Sequence, residues 1–142
     1  NYTSEPSQGL RTAESLLFVA GSAPPKQLTG GEKEDALPRW SPDGRLLAYA
    51  SREDVFFLEL SGKHAIHPIL TTPRLENMPI FSPDGRALAY TSDESGTWEV
   101  YVQPFPPTGG KWQISTSGGA EPRWSRDRMV PTAHPSVRAV SA

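Results

Sequence analysis

The sequence of 142 residues contains no cysteine. That absence excludes thiolate catalysis, cysteine-ligated zinc or iron–sulfur sites, and disulfide bonds. Large apolar side chains are also scarce, because Leu, Ile, Val and Phe together make up just under a fifth of the chain. A core built from so few of them must be thin, so we expect the fold to depend on turns and aromatic residues.

Long apolar runs are missing as well. The longest clean run, residues 16–20, has five residues, whereas a membrane-spanning helix needs about 20 and a signal-peptide core about 7–15. No membrane span is therefore expected in this chain. Basic residues do not predominate, since 14 Lys and Arg stand against 16 Asp and Glu, and no nucleic-acid partner is expected. The first residue is Asn rather than Met, which indicates a trimmed or partial chain.

What the sequence does contain is an internal repeat. Residues 38–49 read PRWSPDGRLLAY, residues 79–90 read PIFSPDGRALAY, and residues 122–127 read PRWSRD. The first two copies agree at nine of twelve positions. The second copy starts 41 residues after the first, and the third starts 43 residues after the second. A second marker, Leu-Thr or Ile-Ser, begins at positions 28, 70 and 114 with spacings of 42 and 44. Two landmarks with one period indicate a structural repeat.

The chemistry of the repeat is typical of short strands joined by tight turns. In Ser-Pro-Asp-Gly the proline sets φ, the Asp side chain can accept hydrogen bonds from nearby N–H groups, and the glycine can take a positive φ. The apolar runs that follow predict strands buried on both faces, in which Ala48 and Ala89 are small enough for a neighbouring sheet to approach closely. In order along each repeat, the predicted strands are 46–49, 55–60 and 66–70 in the first copy and 87–90, 98–102 and 111–114 in the second.

About four strands in every 42 residues is the period of a β-propeller blade. We therefore predict an all-β fold, a partial β-propeller with about two complete four-stranded blades and parts of two more. A β-sandwich with coincidentally similar hairpins is the alternative. The expected organisation is a disordered segment or linker over 1–14, a partial propeller over 15–127, and an atypical tail over 128–142. Within the propeller the blades are expected at about 15–30 (partial), 36–71, 77–115 and 121–127 (partial).

The pattern Pro-x-aromatic-Ser-Pro-Asp-Gly-Arg-x-Leu-Ala-Tyr resembles the WD-repeat-like propeller units of the TolB family. Related blades occur in propeller-bearing serine peptidases and in sensor domains attached to bacterial serine/threonine kinases. Residues 99–127, EVYVQPFPPTGGKWQISTSGGAEPRWSRD, are similar to the last blades of the propeller that follows the membrane segment in many such kinases. The resemblance covers about 25–127.

This resemblance implies a non-catalytic protein- or ligand-binding module of periplasmic or extracytoplasmic location, a fragment of the sensor domain of a membrane serine/threonine kinase. Two alternatives stay open. One is the propeller of an oligopeptidase-like serine hydrolase, where it gates access to a separate catalytic domain. The other is a periplasmic scaffold of the TolB type. The attached kinase or hydrolase domain, if any, would lie outside this chain.

After Asp127 the chain departs from the pattern of the family, which would continue with Gly and an apolar strand. Here the sequence reads Arg-Met-Val-Pro and then TAHPSVRAVSA. Pro131 and Pro135 are expected to exclude a central strand, because each removes a ladder donor. A shifted reading frame or a truncation would produce such a tail, and a natural disordered tail is the alternative.

Catalytic motifs are missing from the sequence. It contains no Gly-x-Ser-x-Gly elbow, no Gly-x-Gly-x-x-Gly loop, and no His-Arg-Asp or Asp-Phe-Gly triplet. We therefore expect no catalytic residue, no cofactor and no enzymatic activity in this chain. His64 and His67 have no third ligand nearby in sequence, so a solvated loop pair without metal is expected.

Aromatic residues recur at the blade period, and core packing is the expected role of all of them rather than a stacking platform for sugars or bases. These residues are Trp40, Phe81, Trp98, Trp112 and Trp124.

The candidate binding site consists of polar residues that precede the proline of the repeat. In TolB-like blades this strand is the innermost, so the resemblance places Asp35, Glu76, Asn77 and Glu121 at one mouth of the central channel. Because a channel focuses the field of the charges that line it, such a ring would capture a cationic or amine-bearing ligand. Ordinary solvated loop charges are the alternative. The expected partners are an unidentified protein or small ligand at this mouth and further copies of the chain, through open blade faces.

Overall fold

The computed structural model describes residues 16–17, 26–29, 35–126, 128–132 and 140–141, with the backbone alone at 16–17, 26, 128–132 and 140–141. Every regular element in this part of the chain is a β-strand. The strands are β1 (Leu16–Leu17), β2 (Lys26–Gln27), β3 (Asp35–Trp40), β4 (Leu46–Ser51), β5 (Asp54–Glu59), β6 (Ile66–Leu70), β7 (Glu76–Phe81), β8 (Ala87–Ser92), β9 (Glu99–Pro104), β10 (Trp112–Gln113), β11 (Ala120–Ser125), β12 (Arg128–Thr132) and β13 (Val140–Ser141).

The strands form antiparallel sheets in which neighbours in sequence are neighbours in space. The first blade has the order β3-β4-β5-β6 and the second blade the order β7-β8-β9-β10. A two-stranded sheet, β1-β2, precedes them, and a three-stranded third sheet, β11-β12-β13, follows. The predicted fold class is confirmed: the protein is an all-β partial propeller with two complete blades and parts of two more.

In both complete blades, the Ser-Pro-Asp-Gly segment closes the hairpin between the first and second strands, as its chemistry predicts. In the first blade the Ser41 hydroxyl donates to Asp43 Oδ1 (2.6 Å), which also accepts the N–H of Arg45 (3.0 Å), while Ser41 Oγ accepts the N–H of Leu46 (3.0 Å). Gly44 takes a φ of 72°. In the second blade the same bonds join Ser82, Asp84, Arg86 and Ala87, and Gly85 takes a φ of 73°.

The core lies between the sheets, and equivalent positions of successive sheets fill it. Phe81 of the second blade packs in one buried cluster with Ala48 of the first blade. Trp124 of the third sheet packs against a cluster that contains Ala89 of the second blade. Ala48 and Ala89 are both completely buried, so the expectation that these small residues permit close approach of the next sheet is confirmed.

The expectation that all the recurring aromatic residues lie in the core is wrong for three of them. Trp40, Trp98 and Trp112 are 43%, 41% and 58% exposed. Trp98 precedes β9, and Trp112 lies in β10, the edge strand of the second blade.

Trp40 is exposed for a different reason. It holds the position of Phe81 and Trp124, and each of those packs on the second strand of the preceding sheet. Of the sheet before the first blade, the structure describes only β1 and β2, which the 42-residue period equates with the outer strands β5 and β6. Among the described residues, the strand that would cover Trp40 has no counterpart.

The segment after Asp127 supplies a strand to the third sheet, and the expectation that Pro131 excludes a central strand there is wrong. β12 lies between β11 and β13. Pro131 stands opposite Pro122 of β11, and the described pairs between β12 and β13 join Arg128 to Ser141 and Met129 to Val140. Pro135 and the linker predicted for 1–14 lie outside the described residues.

Candidate functional site

The first strands of three successive sheets, β3, β7 and β11, lie side by side and enclose a cleft. The Cα atoms of β7 come within 8 Å of those of β3 and of those of β11. The cleft has a volume of about 570 Å³ and is lined by residues of all three strands and of the turns that follow β3 and β7. In this article we call it the inner-strand cleft.

Each inner strand carries a bulge at the same point, just before its proline. The register with the second strand shifts between Ala36 and Arg39, between Asn77 and Ile80, and between Ala120 and Pro122. The bulged residues Leu37, Met78 and Glu121 have φ values of 55°, 53° and 48°, and all three line the cleft.

A positive φ is costly for side chains other than Gly, Asn and Asp. Its recurrence in three sheets shows that the repeat imposes it, whichever residue stands there. A bulge bends its strand and changes the direction of the neighbouring side chains. In this protein it brings a backbone segment of each blade to the wall of the cleft.

The residues that directly follow the repeat prolines also occupy equivalent positions in the three sheets. Arg39, Ile80 and Arg123 stand opposite Ala48, Ala89 and Val130 in the ladders of their sheets, and all three line the cleft. The wall thus has two arginines with an apolar residue between them.

Among the residues that the structure describes, neither arginine has a strong ion-pair partner. Arg39 is exposed, and its Nη1 donates to the carbonyl oxygen of Pro38 (3.0 Å). Arg123 Nη2 lies 3.9 Å from Glu121 Oε2, and the two side chains are 70% and 58% exposed. An ion pair that is so open to water is worth little, so both guanidinium groups are accessible to a ligand.

The inner-strand cleft includes one of the four residues that the resemblance placed at the channel mouth. Glu121 lines the cleft, but in the repeat it stands at the position of Leu37 and Met78, and not at that of the other predicted carboxylates. Asp35 and Glu76 begin β3 and β7, opposite Ser51 and Ser92. Neither they nor Asn77 are among the residues that line the cleft. Ligand binding by these four residues stays a prediction.

Glu76 lies at a junction between the two blades. Its side chain accepts a hydrogen bond from the Thr72 hydroxyl, and its N–H donates to the carbonyl oxygen of Glu53 (2.8 Å). Only 3% of the residue is exposed, and Oε2 has no hydrogen-bond partner. Burial raises the pKa of this carboxyl group, and the carboxylates of Asp54 and Glu94 raise it further.

Asn77 supports the bulge of β7. Its Oδ1 accepts the N–H of Met78 (2.9 Å), and its carbonyl oxygen accepts the hydroxyl of Thr91 (3.2 Å). These bonds satisfy groups that the bulge removes from the ladder, which gives the side chain a structural role.

Arg39, Ile80 and Arg123 were missed in the sequence, although the signal was present in it. All three follow the proline of the repeat directly.

The two histidines bind to one carboxylate-bearing residue of β5. His67 Nε2 lies 2.9 Å from Glu59 Oε1, and His64 Nδ1 lies 3.3 Å from the carbonyl oxygen of Glu59. His67 is part of β6 and its ring stacks on Phe57 at 4.7 Å, so the expectation of a solvated loop pair is wrong for this residue. In the part of the chain that the structure describes, no three His, Cys, Asp or Glu side chains are grouped to hold a metal ion. Nor does this part contain a helix of the length and apolar character needed to cross a membrane.

Comparison with known proteins identifies the fold. No protein-family model and no curated protein matches the sequence. The structure of TolB from Acinetobacter baumannii superposes with a TM-score of 0.80 at 20% identity, over 97% of this chain and 36% of that one. The structure described as "putative TolB from Agrobacterium tumefaciens" superposes with a TM-score of 0.72 at 19% identity, over 84% of this chain and 45% of that one. The chain thus spans less than half the length of either protein, and it has the fold of part of a TolB-type β-propeller.

Proposed function

We propose that this chain is a non-catalytic binding module and that its binding site is the inner-strand cleft. The observation that carries the proposal is the threefold bulge. Leu37, Met78 and Glu121 hold the same costly backbone conformation in three sheets and line one open cleft of about 570 Å³. Strained backbone of this kind is concentrated at ligand-binding sites, and the volume is within the usual range of such sites.

The residues of the cleft favour binding over catalysis. Ser82 supplies the hydroxyl group of the lining, and it donates to Asp84 while it accepts the N–H of Ala87 (2.9 Å). Those two bonds close the hairpin, as the bonds of the equivalent Ser41 do in the first blade, so the hydroxyl group has a structural role. The remaining lining residues bear guanidinium, carboxylate and apolar side chains, which suit recognition.

For the longer protein, we propose the extracytoplasmic propeller of a bacterial membrane serine/threonine kinase. The similarity of residues 99–127 to the last blades of kinase-attached propellers supports this parent. A propeller that gates an oligopeptidase-like hydrolase and a TolB-like periplasmic scaffold are the alternatives. The flanking DNA distinguishes them: an upstream kinase domain with a membrane span supports the proposal, and a downstream hydrolase domain or a signal peptide with a compact N-terminal domain overturns it.

The binding role is tested by selecting peptides that bind the chain and then blocking the inner-strand cleft. Peptides are selected from a random display library on the 142-residue chain, and their affinities are measured by fluorescence anisotropy. Because the chain lacks cysteine, Glu121→Cys introduces a unique thiol in the cleft, and Lys63→Cys introduces one in the β5–β6 turn as a control. Each thiol is then capped with the same bulky maleimide.

We expect selected peptides to lose binding when the cap is at position 121 and to keep it when the cap is at position 63. Binding that survives the cap at position 121, or a selection that enriches no peptide, overturns the proposal. Circular dichroism and thermal melting of both capped proteins establish that a loss of binding does not come from unfolding.

A further inference from the structure

We infer that the ligand of the inner-strand cleft is an acidic peptide in extended conformation, with an apolar side chain between two carboxylates. The inference rests on the proposed function and names the ligand class of the same site. It reverses the charge expected from the sequence, where the carboxylates before the repeat proline indicated a cationic ligand.

The first step is the order of side chains across the cleft. β7 lies between β3 and β11, with Cα approaches within 8 Å on each side. Because Arg39, Ile80 and Arg123 occupy the same register position in those strands, the wall reads cationic, apolar, cationic from the first blade to the third sheet. A complementary ligand presents anionic, apolar and anionic groups in that order.

The second step is the charge that a ligand meets. Among the described residues that line the cleft, Arg39 and Arg123 are the cations and Glu121 is the anion. The carboxylate of Glu76, which the sequence assigned to a cationic ligand, is 3% exposed and accepts the Thr72 hydroxyl. The charges available to a ligand in the cleft are therefore net positive and favour carboxylates.

The third step is the apolar surface between the cations. Ile80 packs against the core cluster of the second blade, as does Trp124, whose Nε1 donates to the carbonyl oxygen of Ile80 (3.3 Å). Met78 completes this part of the lining. These side chains are held by the sheets behind them, so an apolar group of the ligand meets a surface that needs little reordering.

The fourth step is spacing. The closest Cα atoms lie within 8 Å between β3 and β7 and again between β7 and β11, so the path between the outer two strands at these approaches spans up to about 16 Å, and an extended peptide advances about 3.3 Å per residue. Two carboxylates four residues apart match this span, with an apolar residue at the midpoint. A peptide with the sequence Glu-Ala-Leu-Ala-Glu has this arrangement.

The test compares three fluorescein-labelled peptides on the 142-residue chain: Glu-Ala-Leu-Ala-Glu, its Gln-Ala-Leu-Ala-Gln analogue and its Lys-Ala-Leu-Ala-Lys analogue. We expect the acidic peptide to bind most tightly and its affinity to fall as salt is raised, because exposed charges are screened. Arg39→Gln and Arg123→Gln should each weaken it by about two- to fivefold, the range of an exposed ion pair. Arg45→Gln and Arg86→Gln remove the same charge from exposed arginines outside the cleft lining and should leave the affinity unchanged.

Tighter binding of the lysine peptide, or equal binding of all three, overturns the inference. So does an acidic peptide whose affinity is the same in the variants at positions 39 and 123 as in the controls. In these cases the blocking experiment with library peptides still decides separately whether the cleft is a binding site. Loss of all binding in both experiments rejects the site and its ligand class together.

Discussion

The Phe81 ring of the second blade packs on Ala48 of the first blade. Both residues belong to one buried cluster, in which Ala48 has no exposed surface and Phe81 is 5% exposed. The same relationship joins Trp124 to the cluster around Ala89 one repeat later. Contact between a large aromatic residue and a small residue of the preceding sheet therefore recurs from one sheet to the next.

Enlarging the small residue should separate the blades. We expect Ala48→Leu to lower the free energy of unfolding by about 1–3 kcal/mol, because the added methyl groups have no space in a closely packed interface. Ala65→Leu makes the same change at an exposed position and should have little effect. Urea denaturation followed by tryptophan fluorescence measures both. Equal stability of the two variants would show that the interface is loosely packed.

Glycine is required at position 119 because neighbouring side chains approach its Cα closely, and not because its φ is positive. A Cβ atom at this position would overlap the hydroxyl of Ser115, which accepts the N–H of Val100 (2.8 Å) and donates to Glu99. We expect Gly119→Ala to destabilise the chain by about 1–3 kcal/mol. At Gly110 a Cβ atom would have nothing within 4 Å, so Gly110→Ala should change stability by less than about 0.5 kcal/mol. Thermal melting of the two variants gives the comparison, and a harmless Gly119→Ala would contradict the overlap.

The aspartates of the two Ser-Pro-Asp-Gly turns should make the fold sensitive to acid. Hydrogen bonds from Ser41 to Asp43 and from Ser82 to Asp84, with those from the following backbone N–H groups, lower the pKa of both carboxyl groups from 3.8. A lowered pKa in the folded state stabilises the fold above the unfolded value, and this stabilisation is lost as the pH falls through the folded value.

The Asp43→Asn/Asp84→Asn double variant should therefore lose less stability than the wild type between about pH 5 and pH 2. Urea midpoints across this range measure the difference. Glu53→Gln, which removes an exposed carboxylate outside the turns, should leave the slope of the wild type largely unchanged. The prediction fails if the double variant and the wild type follow the same pH profile.

The buried carboxyl group of Glu76 has the opposite dependence. Its pKa is raised from 4.5, chiefly by burial, so its favourable contribution is present below that value and is lost as the pH rises through the folded-state pKa. At neutral pH we expect Glu76→Gln to stabilise the chain by about 1 kcal/mol, because the variant removes a buried charge whose Oε2 has no partner. The gain should disappear below about pH 4. A variant that is less stable at neutral pH would refute this assignment.

Trp40 should make the chain associate. It is 43% exposed at the position where Phe81 is 5% exposed, and an aromatic residue at an open sheet face is a strong contact for another copy. We expect light scattering coupled to size-exclusion chromatography to show a mass that rises with concentration, and Trp40→Ser to reduce the rise. Trp112→Ser changes an exposed tryptophan of the edge strand and serves as the control. A monomer at every concentration would contradict the prediction.

Much of the fold could be predicted because the repeat is formed by interactions between residues that are close in sequence. Ser41, Asp43 and Gly44 close their turn by bonds within six residues, so the turn is encoded where it is formed. The apolar runs after each turn and the spacing of the two repeat markers were sufficient to predict the last three strands of both complete blades. The prediction that Trp40 is a core residue was wrong, because its burial depends on contact with the preceding sheet and not on residues close to it in sequence.

The candidate site was predictable only in part. The family resemblance predicted that the strands before each turn, β3, β7 and β11, are the innermost of their sheets. The sequence itself shows which residues flank each proline. It does not show that the bulge turns Glu121 toward the cleft while Glu76 is buried against Thr72. That difference arises because Glu121 stands at the bulge, one position before its proline, whereas Glu76 begins β7 three positions before its own.

The sequence by itself determined the strand repeat, its turns and its small residues, because turn hydrogen bonds and short apolar runs involve only a few consecutive residues. The tertiary structure alone decided which repeated side chains share a cleft. Arg39, Ile80 and Arg123 are more than 40 residues apart from one another in sequence. They meet because the inner strands pack within 8 Å, and that approach depends on aromatic and alanine contacts between whole sheets.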